Sequence, residues 1–282
     1  MMTWQFQLVD VFAAAPFQGN PLAVVQGAAD LSSAEMLQIA RWLNLSETTF
    51  LLPPSTPAAD YRVRIFTLTG EIPFAGHPTI GSCHAWLTSG GTPQRSDQVV
   101  QECGVGLVTL QRTGDQFAFA APPLLRGGSV TEAEISAIAT FLQIERGAIV
   151  DAQWGDNGPG WVIALLDSAE AVLALEPQRS AAQPIAIGVV GAHPAAHTAD
   201  WEVRAFFSDP YGSIIEDPVT GSLNASVAQW LLSSGRAHAP YRACQGTRIG
   251  RNGQITITQD QRGQVWVGGQ ALTIFTGSRD VS

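Results

Sequence analysis

Residues 4–11 alternate between apolar and polar side chains (W-Q-F-Q-L-V-D-V) with one slip at Leu8-Val9, the period of a strand with one buried face. A turn at Pro16-Phe17-Gln18-Gly19-Asn20-Pro21 leads to a second short strand over residues 22–25. The period then changes. Ser32 or Ser33 caps a helix whose apolar positions are Met36, Leu37, Ile39, Ala40 and Leu43. Residues 46–52 (S-E-T-T-F-L-L) predict a strand stopped by Pro53-Pro54, and residues 61–67 and 70–74 flank a tight turn. Strands over 99–103, 106–111 and 116–120 form a meander with a hairpin turn at 112–115. Residues 121–128 carry no period and close the first half. A helix opens at Thr131; a strand (161–166), a short helix (168–175) and a strand (185–190) follow, with late strands at 255–258, 265–267 and 271–275. Most connections are too short for parallel crossovers, so the pattern predicts an α+β chain of mixed and antiparallel sheets.

The chain repeats itself at an offset of 140 residues. Over residues 61–85 and 201–225, seven of 25 positions match: Val63/Val203, Arg64/Arg204, Phe66/Phe206, Pro78/Pro218, Gly81/Gly221, Ser82/Ser222 and Ala85/Ala225. Composition alone would give about one or two. The earlier helix is echoed as well, Ala34-Glu35, Ile39-Ala40 and Leu43 by Ala133-Glu134, Ile138-Ala139 and Leu142. Half-chain periodicity predicts two similar domains from internal duplication, residues 1–120 and 121–282, each a sheet rolled around one buried helix. The last strand, near 271–282, is left open to return to the first half.

In each copy the proline is placed in the first turn of a helix, where no backbone N–H is needed. Ile80, Cys83, Ala85, Trp86 and Leu87 follow Pro78; Leu223, Val227, Trp230, Leu231 and Leu232 follow Pro218. Neither run contains a charge before its glycine stop (Gly90, Gly235), so both predict helices buried all round. Their starts present N–H groups and positive dipole ends. Related by a pseudo-twofold, the two starts would face one cleft and hold an anion; read singly, each is an ordinary capped core helix. Gly76 and Thr79 at one start, and Val219, Thr220 and Gly221 at the other, are the candidate substrate-binding residues.

Composition narrows the function. A chain of 282 residues with 45% hydrophobic and 14% charged residues is globular rather than disordered. A net charge of −9 argues against nucleic acid as partner. All 15 basic residues are arginine, which excludes a pyridoxal Schiff base, a lysine aldolase and a Walker A loop. No basic residue precedes Arg41 and no apolar run spans a bilayer, so neither signal peptide nor membrane segment is expected. Cys83, Cys103 and Cys244 read as free thiols of a cytoplasmic protein.

Four residues are candidates for chemistry. Glu47 is either an exposed strand glutamate or a buried carboxyl whose raised pKa lets it give and take a proton. His77, between Gly76 and Pro78, is a base or donor, or else a capping histidine. Asp217 is its mate in the repeat, or an N-cap. Ser222 is a hydroxyl donor or a small packing residue, and Ser82 is its structural counterpart. His193-x-x-x-His197 has metal-ligand spacing but loop surroundings, and reads as a solvated pair. Gly104-Val-Gly106 lacks the third glycine of a dinucleotide fingerprint. The 155–160 run (G-D-N-G-P-G) reads mainly as a loop, with the cleft mouth as one place for it. With no legible ligand cluster or phosphate loop, neither metal nor cofactor is expected.

With these residues in place, the chain closely resembles the phenazine-biosynthesis isomerase (PhzF-like) family, which shares the diaminopimelate-epimerase fold. The resemblance rests on V-D-V-F-x4-F-x-G-N-P-L-A-V at 9–24, S-E-T-T-F at 46–50, F-A-G-H-P-T at 74–79 and E-D-P-V-T-G-S at 216–222. It implies two domains with the active site between them, a cofactor-free proton-transfer isomerase, a small carboxylate substrate and commonly a homodimer. It implies that Glu47 shuttles the proton, assisted by His77, Asp217 and Ser222. Two-base epimerases of the wider superfamily carry a cysteine beside each helix start. Here Cys83 lies deeper in its helix, so a two-thiol epimerase or racemase is disfavoured. A non-catalytic binding or scaffold protein is the rival from another class.

Overall fold

The computed structural model describes residues 2–209 and 211–281. Two compact units result: unit 1, the described residues up to Ala120 together with those from Gly268, and unit 2, Ala121–Val267. Among the described residues, no helix is long and apolar enough to cross a membrane.

Unit 1 contains β1 (Met2–Val11), β2 (Asn20–Gln26), α1 (Ser33–Leu43), β3 (Thr48–Leu52), β4 (Tyr61–Phe66), β5 (Glu71–Ile72), α2 (Gly76–Thr88), β6 (Gln98–Cys103), β7 (Gly106–Thr113) and β8 (Gln116–Ala120). It also contains most of the last strand, which is β17 (Val265–Val281) in chain order. Pairing runs β17–β1–β2–β3–β4–β6–β7–β8 and back to β17, so the sheet closes on itself, with β5 appended to β4. The β2–β3 and β4–β6 pairs are parallel and the other registered pairs antiparallel. Closure leaves only the two-residue β5 as an edge among the described strands of this unit. Inside the ring lies α2, packed against β1, β2, β3, β4, β6 and β8. Gly81 permits that approach: a Cβ there would stand 2.6 Å from Leu22 Cδ2 and 2.8 Å from Val11 Cγ2. Outside the ring lies α1, opened by a reciprocal capping box between Ser32 and Glu35 and closed by Asn44 in the left-handed region. Met36 and Ala40 of α1 join Val25, Phe50, Leu52 and Phe66 in an outer core.

Unit 2 contains β9 (Arg126–Ser129), α3 (Glu132–Leu142), β10 (Ile149–Asp156), β11 (Val162–Leu166), α4 (Ala169–Leu173), β12 (Ala186–Ala192), β13 (Trp201–Ser208), β14 (Ile214–Asp217), α5 (Gly221–Ser233), β15 (Tyr241–Gln245), β16 (Gly253–Gln259) and the first residues of β17. Its strands pair in the order β9–β10–β11–β12–β13–β15–β16, with β14 also on β13. Thr131 and Glu134 form a second capping box at α3. An outer core joins α3 and α4 to the sheet through Ile138, Leu142, Val172, Val189 and Phe206. The inner helix is α5: Leu223 meets Gly188 of β12, and Ser226 meets Gly155 of β10.

The sheet-rich, helix-poor architecture agrees with the mixed-sheet expectation, with several local differences. Glu47 precedes β3 rather than lying in it. Residues 149–156 and 241–245, for which no strand is predicted, form β10 and β15, and residues 126–129 form β9. The late apolar runs at 265–267 and 271–275 belong to one continuous strand. Pro78 sits in the first turn of α2, but Pro218 precedes the Thr220 N-cap of α5. The cause is the pairing of Asp217 in β14 with Ala205, which keeps the chain extended for longer in unit 2.

Candidate active site

In unit 1 the candidate groups gather at the start of α2. Glu47 follows α1 and immediately precedes β3, while His77 is the second residue of α2. The fold brings His77 Nε2 to 3.4 Å from Glu47 Oε2, with 6% of the imidazole and 17% of the carboxyl side chain exposed. The contact lacks the alignment of a hydrogen bond. On its other side, His77 Nδ1 lies 3.5 Å from Nδ2 of the fully buried Asn20. An amide nitrogen only donates, so Nδ1 is the acceptor and the ring proton resides on Nε2, facing Glu47. Burial lowers the His77 pKa to about 3. The pair is therefore a carboxyl beside a neutral imidazole, not an ion pair.

Asn20 has no assigned role in the sequence reading, and the loop before it explains its position. Asp10 at the end of β1 accepts hydrogen bonds from the backbone N–H groups of Gln18 and Gly19, each at 2.9 Å. Gly19 is required in that loop: a Cβ would stand 2.0 Å from the Val11 carbonyl oxygen. Thr79 and Ser82 face inward. Thr79 Oγ1 accepts from Gln101 Nε2 at 3.0 Å, and Ser82 donates to Thr49 Oγ1 at 3.0 Å. No side chain caps α2, whose N-cap is Ala75. Burial pushes the Cys83 thiol well above its usual range, so it is no ready nucleophile or base.

In unit 2 the start of α5 is organised by Gln245 of β15, fully buried and likewise absent from the sequence reading. Its Oε1 accepts from the Thr220 backbone N–H (3.0 Å) and from Asn224 Nδ2 (2.8 Å). Its Nε2 donates to the Asp217 carbonyl (3.0 Å) and to Thr220 Oγ1 (2.9 Å), so the whole amide is used. Thr220 in turn donates its hydroxyl to Asp217 Oδ2 at 2.5 Å. Asp217 is thus the buried end of β14 rather than the N-cap of α5. Ser222, half-buried as the second residue of α5, accepts from Trp161 Nε1 at 3.0 Å. Indole only donates, so the Ser222 hydroxyl keeps its own hydrogen for an acceptor. Asn157 of the glycine-rich loop donates to the Ser222 carbonyl at 2.9 Å. Val219 is fully buried, and Gly221 opens the helix. The two candidate histidines of the loop after β12 separate in character: His193 is nearly buried, and only His197 is exposed.

Comparison with known proteins adds what geometry alone does not give. The family of phenazine biosynthesis-like proteins (PhzC-PhzF) matches residues 9–277. The chain is 35% identical to "Antisense-enhancing sequence 1" of Schizosaccharomyces pombe, covering 98% of this chain and 99% of that protein. It is 31% identical to trans-2,3-dihydro-3-hydroxyanthranilate isomerase of Pseudomonas fluorescens, covering 97% of this chain and 98% of that one. In fold it is similar to the crystal structure of a PhzF-family phenazine biosynthesis protein from Bacillus anthracis, with a TM-score of 0.82 at 22% identity over 100% of both chains. Matched along nearly its whole length in sequence and in fold, the chain belongs to the PhzC-PhzF family of phenazine biosynthesis-like proteins and is an isomerase.

Proposed function

We propose that the chain moves a proton within a small unsaturated carboxylic acid without a cofactor, a reaction of the kind for which its Pseudomonas relatives are named. Glu47 is the acid–base. As carboxylate it takes a proton from one carbon, and the released electron pair spreads along the conjugated substrate into its carboxylate. As carboxylic acid it returns the proton to another carbon, so no atom is gained or lost. The observation that carries this reading is the Glu47–His77 contact. A neutral imidazole with its proton on Nε2 donates to developing negative charge without competing for the proton that Glu47 carries. Asp217 and the Ser222 hydroxyl assist in this reading. The substrate carboxylate is held by the backbone at Gly76, at the start of α2; the Thr79 N–H is taken by the Ala75 carbonyl and the Thr220 N–H by Gln245. The two units descend from one duplicated half, and the protein works as a homodimer.

The test uses trans-2,3-dihydro-3-hydroxyanthranilate in deuterated buffer with the wild type and Glu47→Gln. Glutamine keeps the size of the side chain and removes its ionisable proton. Wild type should place solvent deuterium on a product carbon, and Glu47→Gln should lose about 10²–10⁴-fold in turnover with little change in affinity. A folded Glu47→Gln protein that turns over near the wild-type rate refutes the assignment.

A further inference from the structure

Unit 2 holds a second cluster of reactive side chains, on the face of the sheet away from α5. Strand parity shows this. Gly188 of β12 pairs with Ala205 of β13, and a Cβ at Gly188 would meet Leu223 of α5. Gly191, three residues on, pairs with Glu202, and its Cβ would meet the Ser168 carbonyl and Val172 beside α4. Arg204, on the same face as Glu202, donates to the Val172 and Leu175 carbonyls. Glu202 therefore points to the α4 side, the opposite face from α5. Cys244 is its direct partner in the parallel β13–β15 ladder, so both side chains share that face. His193, just past β12, folds over them.

Among the described residues, these three are the group of His, Cys and Glu whose ligand atoms converge, all within 4.8 Å of one another. His193 Nε2 lies 3.0 Å from Glu202 Oε2 and 3.3 Å from Cys244 Sγ, and the thiol donates to Glu202 Oε2 at 2.7 Å. Glu202 is 1% exposed. Its Oε1 is buried with no hydrogen-bond partner, the costly remainder that hydrogen bonding within the triad does not remove. The exposed His197 ring stacks on His193 with centroids 3.7 Å apart, fixing the imidazole plane.

We propose that His193, Glu202 and Cys244 bind a borderline-soft divalent cation, best matched by Zn²⁺. Sulfur, imidazole nitrogen and carboxylate oxygen form a donor set that suits zinc and not magnesium or calcium. Ligand atoms about 2.0–2.3 Å from a tetrahedral zinc ion stand about 3.3–3.8 Å apart, so His193 must move about 0.3 Å from each partner, and the Cys244–Glu202 separation of 2.7 Å must open by about 0.8 Å. Binding replaces the thiol proton, which leaves to solvent, and brings the second Glu202 oxygen within reach of the ion. A fourth position is open to water. The ion would tie β12, β13 and β15 together. This departs from the metal-free expectation drawn from sequence, because residues 193, 202 and 244 show no ligand spacing.

Cobalt(II) is the probe, titrated into the purified full chain in thiol-free buffer. The expected result is one ion per chain and a near-ultraviolet thiolate-to-cobalt charge-transfer band. That band should vanish in Cys244→Ser, weaken in Glu202→Gln and persist in Cys103→Ser. Zinc at about a hundred times its Kd should displace the cobalt and raise Tm by roughly 5 °C. A wild type with no band at saturating cobalt overturns the proposal, and this holds even where a variant fails to fold. An unchanged band in Cys244→Ser overturns it equally.

Discussion

Lowering the pH from 7.5 to 5.0 should destabilise the protein through His77, and a His77→Gln variant should escape that share of the loss. In an unfolded chain the imidazole takes up its proton near pH 6.5. In the fold, burial keeps it neutral down to about pH 3. Its folded pKa lies below its unfolded one, so the stability that it contributes is complete above pH 6.5. That stability is lost as pH falls towards 3, because only the unfolded state binds the proton in that window. At pH 5.0 the loss is about 2 kcal/mol relative to pH 7.5, and it approaches about 5 kcal/mol near pH 3. Two kilocalories is a measurable part of a typical stability of about 5–15 kcal/mol. Urea unfolding of wild type and variant across this range reports His77 together with its neighbour Glu47, since titrating groups away from this contact cancel in the difference. Ring NMR of His77 at pH 5.0 should show a neutral imidazole protonated at Nε2. A difference between the two proteins that stays flat from pH 7.5 to 5.0 would refute the reasoning.

The repeat provides an internal comparison between two arginine–glutamate pairs. Arg204 and Glu216 form a bidentate pair 4% and 14% exposed, so Arg204→Ala should cost about 3–5 kcal/mol by urea unfolding. Its mate Arg64, paired with Glu71 at 24% and 41% exposure, should cost within about 1 kcal/mol when changed to alanine. Equal losses would mean that burial does not decide the strength of these pairs. Gly19→Ala should lower stability by about 1–3 kcal/mol, because the new methyl meets a backbone oxygen that cannot rotate away. An unchanged Tm in that variant would show that the 12–19 loop does not hold Asn20 in place.

Period, capping chemistry and composition by themselves determined a good deal of this protein. Ser32-x-x-Glu35 and Thr131-x-x-Glu134 announce α1 and α3, because a capping box is satisfied within four residues. The uncharged runs after Pro78 and Thr220 become helices that bury most of their faces, since neither carries an ionised group that has to reach water. Strands with no alternation to read, such as residues 241–245, form because neighbours supply their hydrogen bonds: β15 gains its place from β13 and β16. The same holds for side-chain chemistry. Glu47 stands thirty residues from His77 in the chain, and only the parallel pairing of β2 with β3 around α2 puts Asn20, Glu47 and His77 in contact. Gln245 reaches Asp217 and Thr220 from a strand more than twenty residues away, and the pairing of Asp217 with Ala205 holds the chain extended there, which moves the start of α5 past Pro218. His193, Glu202 and Cys244 meet only because β12, β13 and β15 lie side by side. Local sequence sets the dihedral preferences and the apolar faces. Which polar groups meet, and how dry they are, depends on strand register, which no stretch of sequence carries alone.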